Sequence, residues 1–141
     1  MIVKFYDQVE DEKLKFAVIA ARAEGKWVFC KHKARTTFEM PGGHREPGEP
    51  ILTTARRELQ EETGATVFDL QSVCVYSVTD PDNFDGAETY GLLCTAQVHA
   101  FGPMDSEMEK IVLTADLPTQ WTYPQIQPKL LAELERRGVI Q

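Results

Sequence analysis

The sequence predicts an α/β/α sandwich, and three observations carry that prediction. Apolar segments with strand chemistry, parted by short turn clusters, fill most of the chain. Two amphipathic helices interrupt them, one mid-chain and one near the end. No internal repeat, low-complexity stretch or second composition zone marks a linker, and 141 residues suffice for one domain with a real core. The whole of 1–141 is therefore read as a single domain.

In order, Ile2 to Tyr6 reads as a short edge strand and Asp7 to Lys13 as a charged turn. Leu14 to Ala23 is a long apolar run, expected as a buried central strand. Glu24-Gly25 makes a tight turn into a partner strand, Lys26 to Lys31, on which Trp27 and Phe29 share a core-facing side. Phe38-Glu39-Met40 is expected as a short strand leading into a Gly-rich loop. Beyond the mid-chain helix, Thr66 to Thr79 and Glu88 to Phe101 read as a long hairpin around the turn cluster at Asp80 to Gly86. Gly102 to Lys110 is a loop, Ile111 to Thr114 a short strand, and Asp116 to Tyr123 an irregular connector. A closing helix runs from Pro124 or Gln125 to Arg137, with Ile126, Leu130, Leu131 and Leu134 as its stripe and Gly138 as its stop.

The mid-chain helix is expected from Pro50 to Gly64. Pro suits a first turn, where its missing N–H is no loss, and Gly suits the left-handed position past the end. At about 100° per residue, Leu52, Ala55 and Leu59 form its buried stripe. Glu58, Glu61 and Glu62, at spacings of three and four, project from a neighbouring face. Like charges so placed repel, and those near the helix end face the negative pole of its dipole. Taken alone, such a run is more often a solvated face. The alternative is a hard cation above it, Mg²⁺ or Mn²⁺, which prefers oxygen ligands. Mg²⁺ in particular is commonly shared between carboxylates and substrate phosphates.

The wider spacing decides between them. Gly43, five residues, Glu49, seven residues, Arg57-Glu58-Leu59, one residue, Glu61-Glu62, one residue, Gly64-Ala65 matches the Nudix box at its fixed positions. The chain thus resembles the Nudix (MutT-like) hydrolases over residues 43–65, a highly specific pattern. One departure is Ala65, where the family usually has a bulkier aliphatic residue. The resemblance implies the Nudix fold, a mixed sheet between helices. It implies that Glu58, Glu61 and Glu62 are metal ligands, with a backbone carbonyl of Gly42 or Gly43 completing the site. Arg57 would pair with Glu49 and Glu61 and hold both in place. The implied reaction is hydrolysis of a nucleoside diphosphate linked to another moiety, by water attacking the pyrophosphate.

Further residues are carried by the same resemblance. A basic residue after the second central strand would contact phosphate: Lys33 best matches the place, with Arg35 beside it. A solubilising loop is the competing reading. A glutamate after the hairpin would act as general base or extra ligand, and Glu107 and Glu109 are the candidates. Relatives selective for 8-oxoguanine carry an Asn before the Pro near the last helix. Here the stretch is Tyr123-Pro124-Gln125-Ile126-Gln127-Pro128, without Asn, although Gln125 or Gln127 would offer an amide to a base. Trp121 and Tyr123 are the aromatic candidates for stacking on that base, against packing on the sheet. His32 and His44 lack a second His or Cys at ligand spacing and read as non-ligands.

Composition excludes other classes. The net charge of −7 and the absence of a basic stripe argue against a nucleic-acid surface. Cys30, Cys74 and Cys94, odd in number and set in apolar strands, read as reduced buried thiols of a cytoplasmic protein. No signal-peptide pattern and no apolar run of about 18 residues is present, so no membrane partner is expected. The expected partner is a small-molecule nucleotide. A nucleoside triphosphate is favoured, with an ADP-sugar, a dinucleoside polyphosphate, a triphosphorylated RNA end or a non-catalytic sensing module as alternatives. A homodimer stays open, with no stripe that identifies an interface.

Overall fold

A computed structural model of the chain describes residues 1–82, 84–103 and 108–140. Its strands are β1 (Ile2–Tyr6), β2 (Leu14–Ala23), β3 (Lys26–His32), β4 (Gly42–His44), β5 (Ala65–Thr79), β6 (Glu88–Phe101) and β7 (Met108–Thr114). The helices are α1 (Ile51–Thr63) and α2 (Gln127–Arg136). Among the described residues the strands form one mixed sheet in the order β1-β5-β6-β2-β3-β7. β2 and β6 run parallel, and the remaining pairs are antiparallel. The β2–β3 turn places Glu24 and Gly25 at φ 54° and 76°, the left-handed pair that a two-residue hairpin requires.

The sheet is apolar on both faces because its strands alternate. Ala17, Ile19 and Ala21 of β2 face one way and pack with Ala55 and Leu59 of α1. Phe16, Val18 and Ala20 face the other way, with Leu130, Leu131 and Leu134 of α2. One helix per face gives the three-layer α/β/α sandwich. Trp27 and Phe29 are both buried on the α2 side, and Cys30, Cys74 and Cys94 are buried free thiols. Buried Ala65 sits in the α1-side core.

Several boundaries differ from expectation. Pro50 is extended and stands just before α1, which begins at Ile51. Leu52 is 45% exposed: it lies in the first turn over a shallow groove beside Asp11 and Arg45, and half-buried Ile51 packs on the core in its place. Phe38 and Glu39 make only isolated bridges, to Trp121 and Cys30, while Gly42–His44, expected as loop, pairs with Phe16–Val18. A side chain at Gly42 would strike the Ala17 carbonyl, so glycine permits this pairing. β7 begins at Met108, earlier than expected, because it pairs along β3 as far as His32. α2 begins at Gln127, with Pro128 and not Pro124 in its first turn.

Candidate active site

The site lies where β4, the loop after it and α1 meet. Gly64 ends α1 at φ 78°, its N–H bonding the Gln60 carbonyl. That stop fixes the last turns, where the acidic residues stand. Arg57 reaches back over them: its Nε donates to Glu49 Oε2 at 2.7 Å and its Nη2 to Glu49 Oε1 at 3.0 Å. Nη1 donates to Glu58 Oε1 at 2.8 Å and to Glu61 Oε2 at 3.3 Å, and Nη2 to the His44 carbonyl at 3.0 Å. One guanidinium therefore organises three carboxylates and the loop. The Arg57 guanidinium, helped by the Thr54 hydroxyl at 2.6 Å, holds the Glu49 carboxyl down to about 2.

The three candidate ligands differ in surroundings. Glu62 accepts the Gly42 N–H at 2.7 Å. Burial, with the nearby charges of Glu58, Glu39 and Glu61, raises its carboxyl to about 8 despite that bond. Burial also raises Glu58, whose side chain is only 13% exposed, against the pull of Arg57. Glu61 points outward, its side chain 50% exposed. Gly43 packs so closely on Glu58 that a Cβ would land on the carboxylate.

Among the described residues, no three His, Cys, Asp or Glu side chains converge as they stand to hold a metal ion. The donor set nevertheless suits Mg²⁺ or Mn²⁺. Oxygen ligands are present, two are partly desolvated, and the charge they lack is positive. Mg²⁺ needs only one or two carboxylates when waters and phosphates complete its shell.

Glu58 and Glu62 border a cavity of about 880 Å³. Phe16, Val18, Tyr76 and Leu130 give the same cavity apolar and aromatic surface. Phe16 and Tyr76 leave no room for a side chain at Gly91. The structure brings Gly42, Gly43, Arg57, Glu58, Glu62, Arg35 and Tyr123 to this cavity. Arg35 lies 5.8 Å above the Tyr123 ring and pairs with Glu39 at 3.1 Å. Lys33 is exposed and Trp121 half-buried, and neither lines the cavity. Trp121 packs edge-on against Phe29 at 5.4 Å. Glu107 lies outside the described residues, and Glu109 falls within β7.

Sequence reading missed Glu39, a buried carboxylate on the cavity wall. Its signal was a charge inside the apolar Phe38–Met40 run, since unpaired acids are rarely buried. Phe16 and Tyr76 were also missed, because alternation places a residue on a face without revealing a cavity there.

Comparison with known proteins agrees with this geometry. The family model described as NUDIX domain matches residues 11–134. The Bacillus subtilis (strain 168) protein named "Putative 8-oxo-dGTP diphosphatase YtkD" is 38% identical over 76 residues, covering 54% of this chain and 48% of that protein. The ADP-ribose pyrophosphatase of the same organism is 42% identical over 64 residues, covering 43% of this chain and 35% of that protein. The matches thus span about half or less of these relatives' length. Among solved structures, a mutant of the Bacillus subtilis pyrophosphohydrolase BsRppH superimposes with a TM-score of 0.78 at 24% identity, covering 99% of this chain and 93% of that one. A NUDIX hydrolase from Nitrosomonas europaea gives 0.70 at 18% identity, covering 91% and 96%. With the box, the mixed sheet between two helices and the matched span in agreement, the chain belongs to the Nudix superfamily.

Proposed function

We propose that this protein is a divalent-metal-dependent pyrophosphohydrolase acting on a nucleoside triphosphate or a related diphosphate-linked nucleotide. The observation that carries the reading is one cavity lined both by the carboxylates Glu58 and Glu62 and by the apolar and aromatic side chains Phe16, Val18, Tyr76 and Leu130. The carboxylates suit a metal-bridged diphosphate and the aromatic surface a flat ring. The names of the two curated relatives, a diphosphatase and a pyrophosphatase, support the same reaction class.

Glu58, Glu61 and Glu62 would hold Mg²⁺ or Mn²⁺, with a carbonyl of Gly42 or Gly43. The bound metal supplies charge neutralisation on the phosphates and an acidified water. Arg57 sets the carboxylates in place through Glu49, Glu58 and Glu61. Arg35 offers donors to an anionic substrate from the cavity wall, and Tyr123 a ring face. Glu107 or Glu109 would take the proton from water. Positioning and charge stabilisation do most of the work in such transfers.

The test is chromatography of the products formed with Mg²⁺, with an EDTA control: a nucleotide plus phosphate or pyrophosphate from nucleoside triphosphates, AMP plus ribose 5-phosphate from ADP-ribose, and two mononucleotides from a dinucleoside polyphosphate. Glu61→Gln and Glu62→Gln should each lower kcat by about 10³-fold, the scale of a lost charge contact in the transition state. Folded variants with near-normal rates would overturn the ligand assignment.

A further inference from the structure

Resting on the reading of Glu58, Glu61 and Glu62 as metal ligands, a second arginine bears on how they are held. Arg45 directly follows β4, in the loop that carries Glu49. Its backbone N–H donates to the Lys15 carbonyl at 2.8 Å, which extends the pairing of β4 with β2. Its side chain is only 18% exposed and serves four acceptors. Nε donates to the Glu49 carbonyl at 2.6 Å. Nη1 donates to the carbonyls of Asp11 and Leu14 at 2.8 and 3.2 Å, and Nη2 to the Asp11 carboxylate at 2.7 Å. Leu14 opens β2 and Asp11 stands in the turn just before it. One guanidinium thus fastens the Glu49 backbone to the sheet.

Glu49 is therefore gripped from two sides. Arg57 and Thr54 hold its carboxylate to α1, and Arg45 holds its carbonyl to β2. Between the two arginines, the Glu49 N–H bonds the Glu46 carbonyl at 3.0 Å and the Glu46 N–H bonds Glu49 Oε1 at 3.2 Å. Those local bonds shape the turn without locating it against the sheet. The place of Glu49 sets the place of Arg57, whose other donors reach Glu58 and Glu61. A planar fork can serve such scattered acceptors at once, where an ammonium offers a single point of charge. We propose that Arg45 is a positioning residue for the metal site: it holds the loop against the sheet, so that Glu49 and Arg57 keep Glu58 and Glu61 in place for the ion.

Three variants separate this tether from a plain structural role and from substrate contact. Arg45→Lys keeps the charge beside Asp11 and loses the fork. Arg45→Met keeps an apolar stem and removes every donor. Asp11→Asn removes the ion pair, keeps an oxygen for Nη2 and leaves the bond to Glu49 intact. Mn²⁺ titration without nucleotide, read by loss of the free-ion EPR signal, gives metal affinity independently of turnover. Steady-state kinetics with a nucleoside triphosphate and Mg²⁺ give kcat and KM, and thermal melting verifies folding. Both Arg45 variants should bind Mn²⁺ about tenfold more weakly and lose a similar factor in kcat, with KM nearly unchanged. Asp11→Asn should match the wild type in both. If Arg45→Met does not fold, Arg45→Lys carries the test alone. A merely structural residue would lower the melting temperature and leave the Mn²⁺ affinity of the folded protein untouched. That result, a raised KM with metal affinity intact, or an Asp11→Asn defect as large as that of the Arg45 variants would overturn the role of Arg45. Absence of hydrolysis by the wild type would sink the hydrolase reading while the Mn²⁺ affinities still decide on Arg45. A wild-type protein that takes up no Mn²⁺ would overturn the tether and the ligand assignment together.

Discussion

Arg57 clasps Glu49 with two parallel bonds, Nε to Oε2 at 2.7 Å and Nη2 to Oε1 at 3.0 Å, across eight positions of sequence. The fork matches a carboxylate in a way a point charge cannot. The same guanidinium also spans to Glu58, Glu61 and the His44 carbonyl, so it joins the loop to the acidic face of α1. Arg57→Lys should keep the charge and lose the geometry. We expect kcat to fall by roughly 10- to 100-fold, the scale seen when groups supporting metal ligands are removed. Steady-state kinetics beside a Mg²⁺ titration would check this, and unchanged metal affinity with unchanged kcat would contradict it.

Gly43 lies against Glu58 with no space for a methyl group. Gly43→Ala must displace the Glu58 carboxylate, the β4 backbone, or both. The expected outcome is weaker Mg²⁺ binding and lower turnover, with the fold retained because Gly43 lies at the sheet's rim. Gly25→Ala is the control for the general cost of a new side chain, since its Cβ would meet nothing, although its φ of 76° adds backbone strain. Stability would suffer there, and metal affinity would not.

Leu59 and Leu52 share a helix but not an environment. Leu59 is fully buried in the α1-side core, whereas Leu52 is 45% exposed. Leu59→Ala should cost about 2–5 kcal/mol and Leu52→Ala well under that. Urea denaturation at constant m-value would measure both, and similar losses would mean that the helix face is assigned wrongly.

Acid stability should rest on three carboxylates held at about 2. Arg57 lowers Glu49; the hydroxyls of Ser77, Tyr6 and Tyr90 lower Glu88; Arg136 and Arg137 lower Glu133. Each has a folded value below its unfolded value, so its contribution is complete above about pH 4.5 and is lost as pH falls toward 2. Thermal melts between pH 5 and about 2 should show Tm dropping through that window. Glu88→Gln should flatten the slope.

The order of strands and helices was legible in the chain because periodicity and turn chemistry are local. Leu14–Ala23 alternates across a sheet, Glu24-Gly25 turns, and Gly64 stops a helix wherever the rest of the molecule lies. The Nudix box also named Glu49, Arg57, Glu58, Glu61 and Glu62 at once, since fixed offsets on one loop and one helix need no long-range information. Tertiary structure alone decided what stands opposite them. Leu52 lies within the apolar arc by angle yet meets solvent, because the first turn of α1 overhangs a surface groove. Trp121 and Tyr123 are two positions apart, but one packs on Phe29 while the other borders the cavity. Glu39 and Gln127 reach the same cavity from 88 positions apart in the chain, and each is anchored by a backbone pairing or bond that no local pattern encodes. Sequence spacing sets the direction a side chain leaves its own element; only the packing of elements against one another determines what it meets.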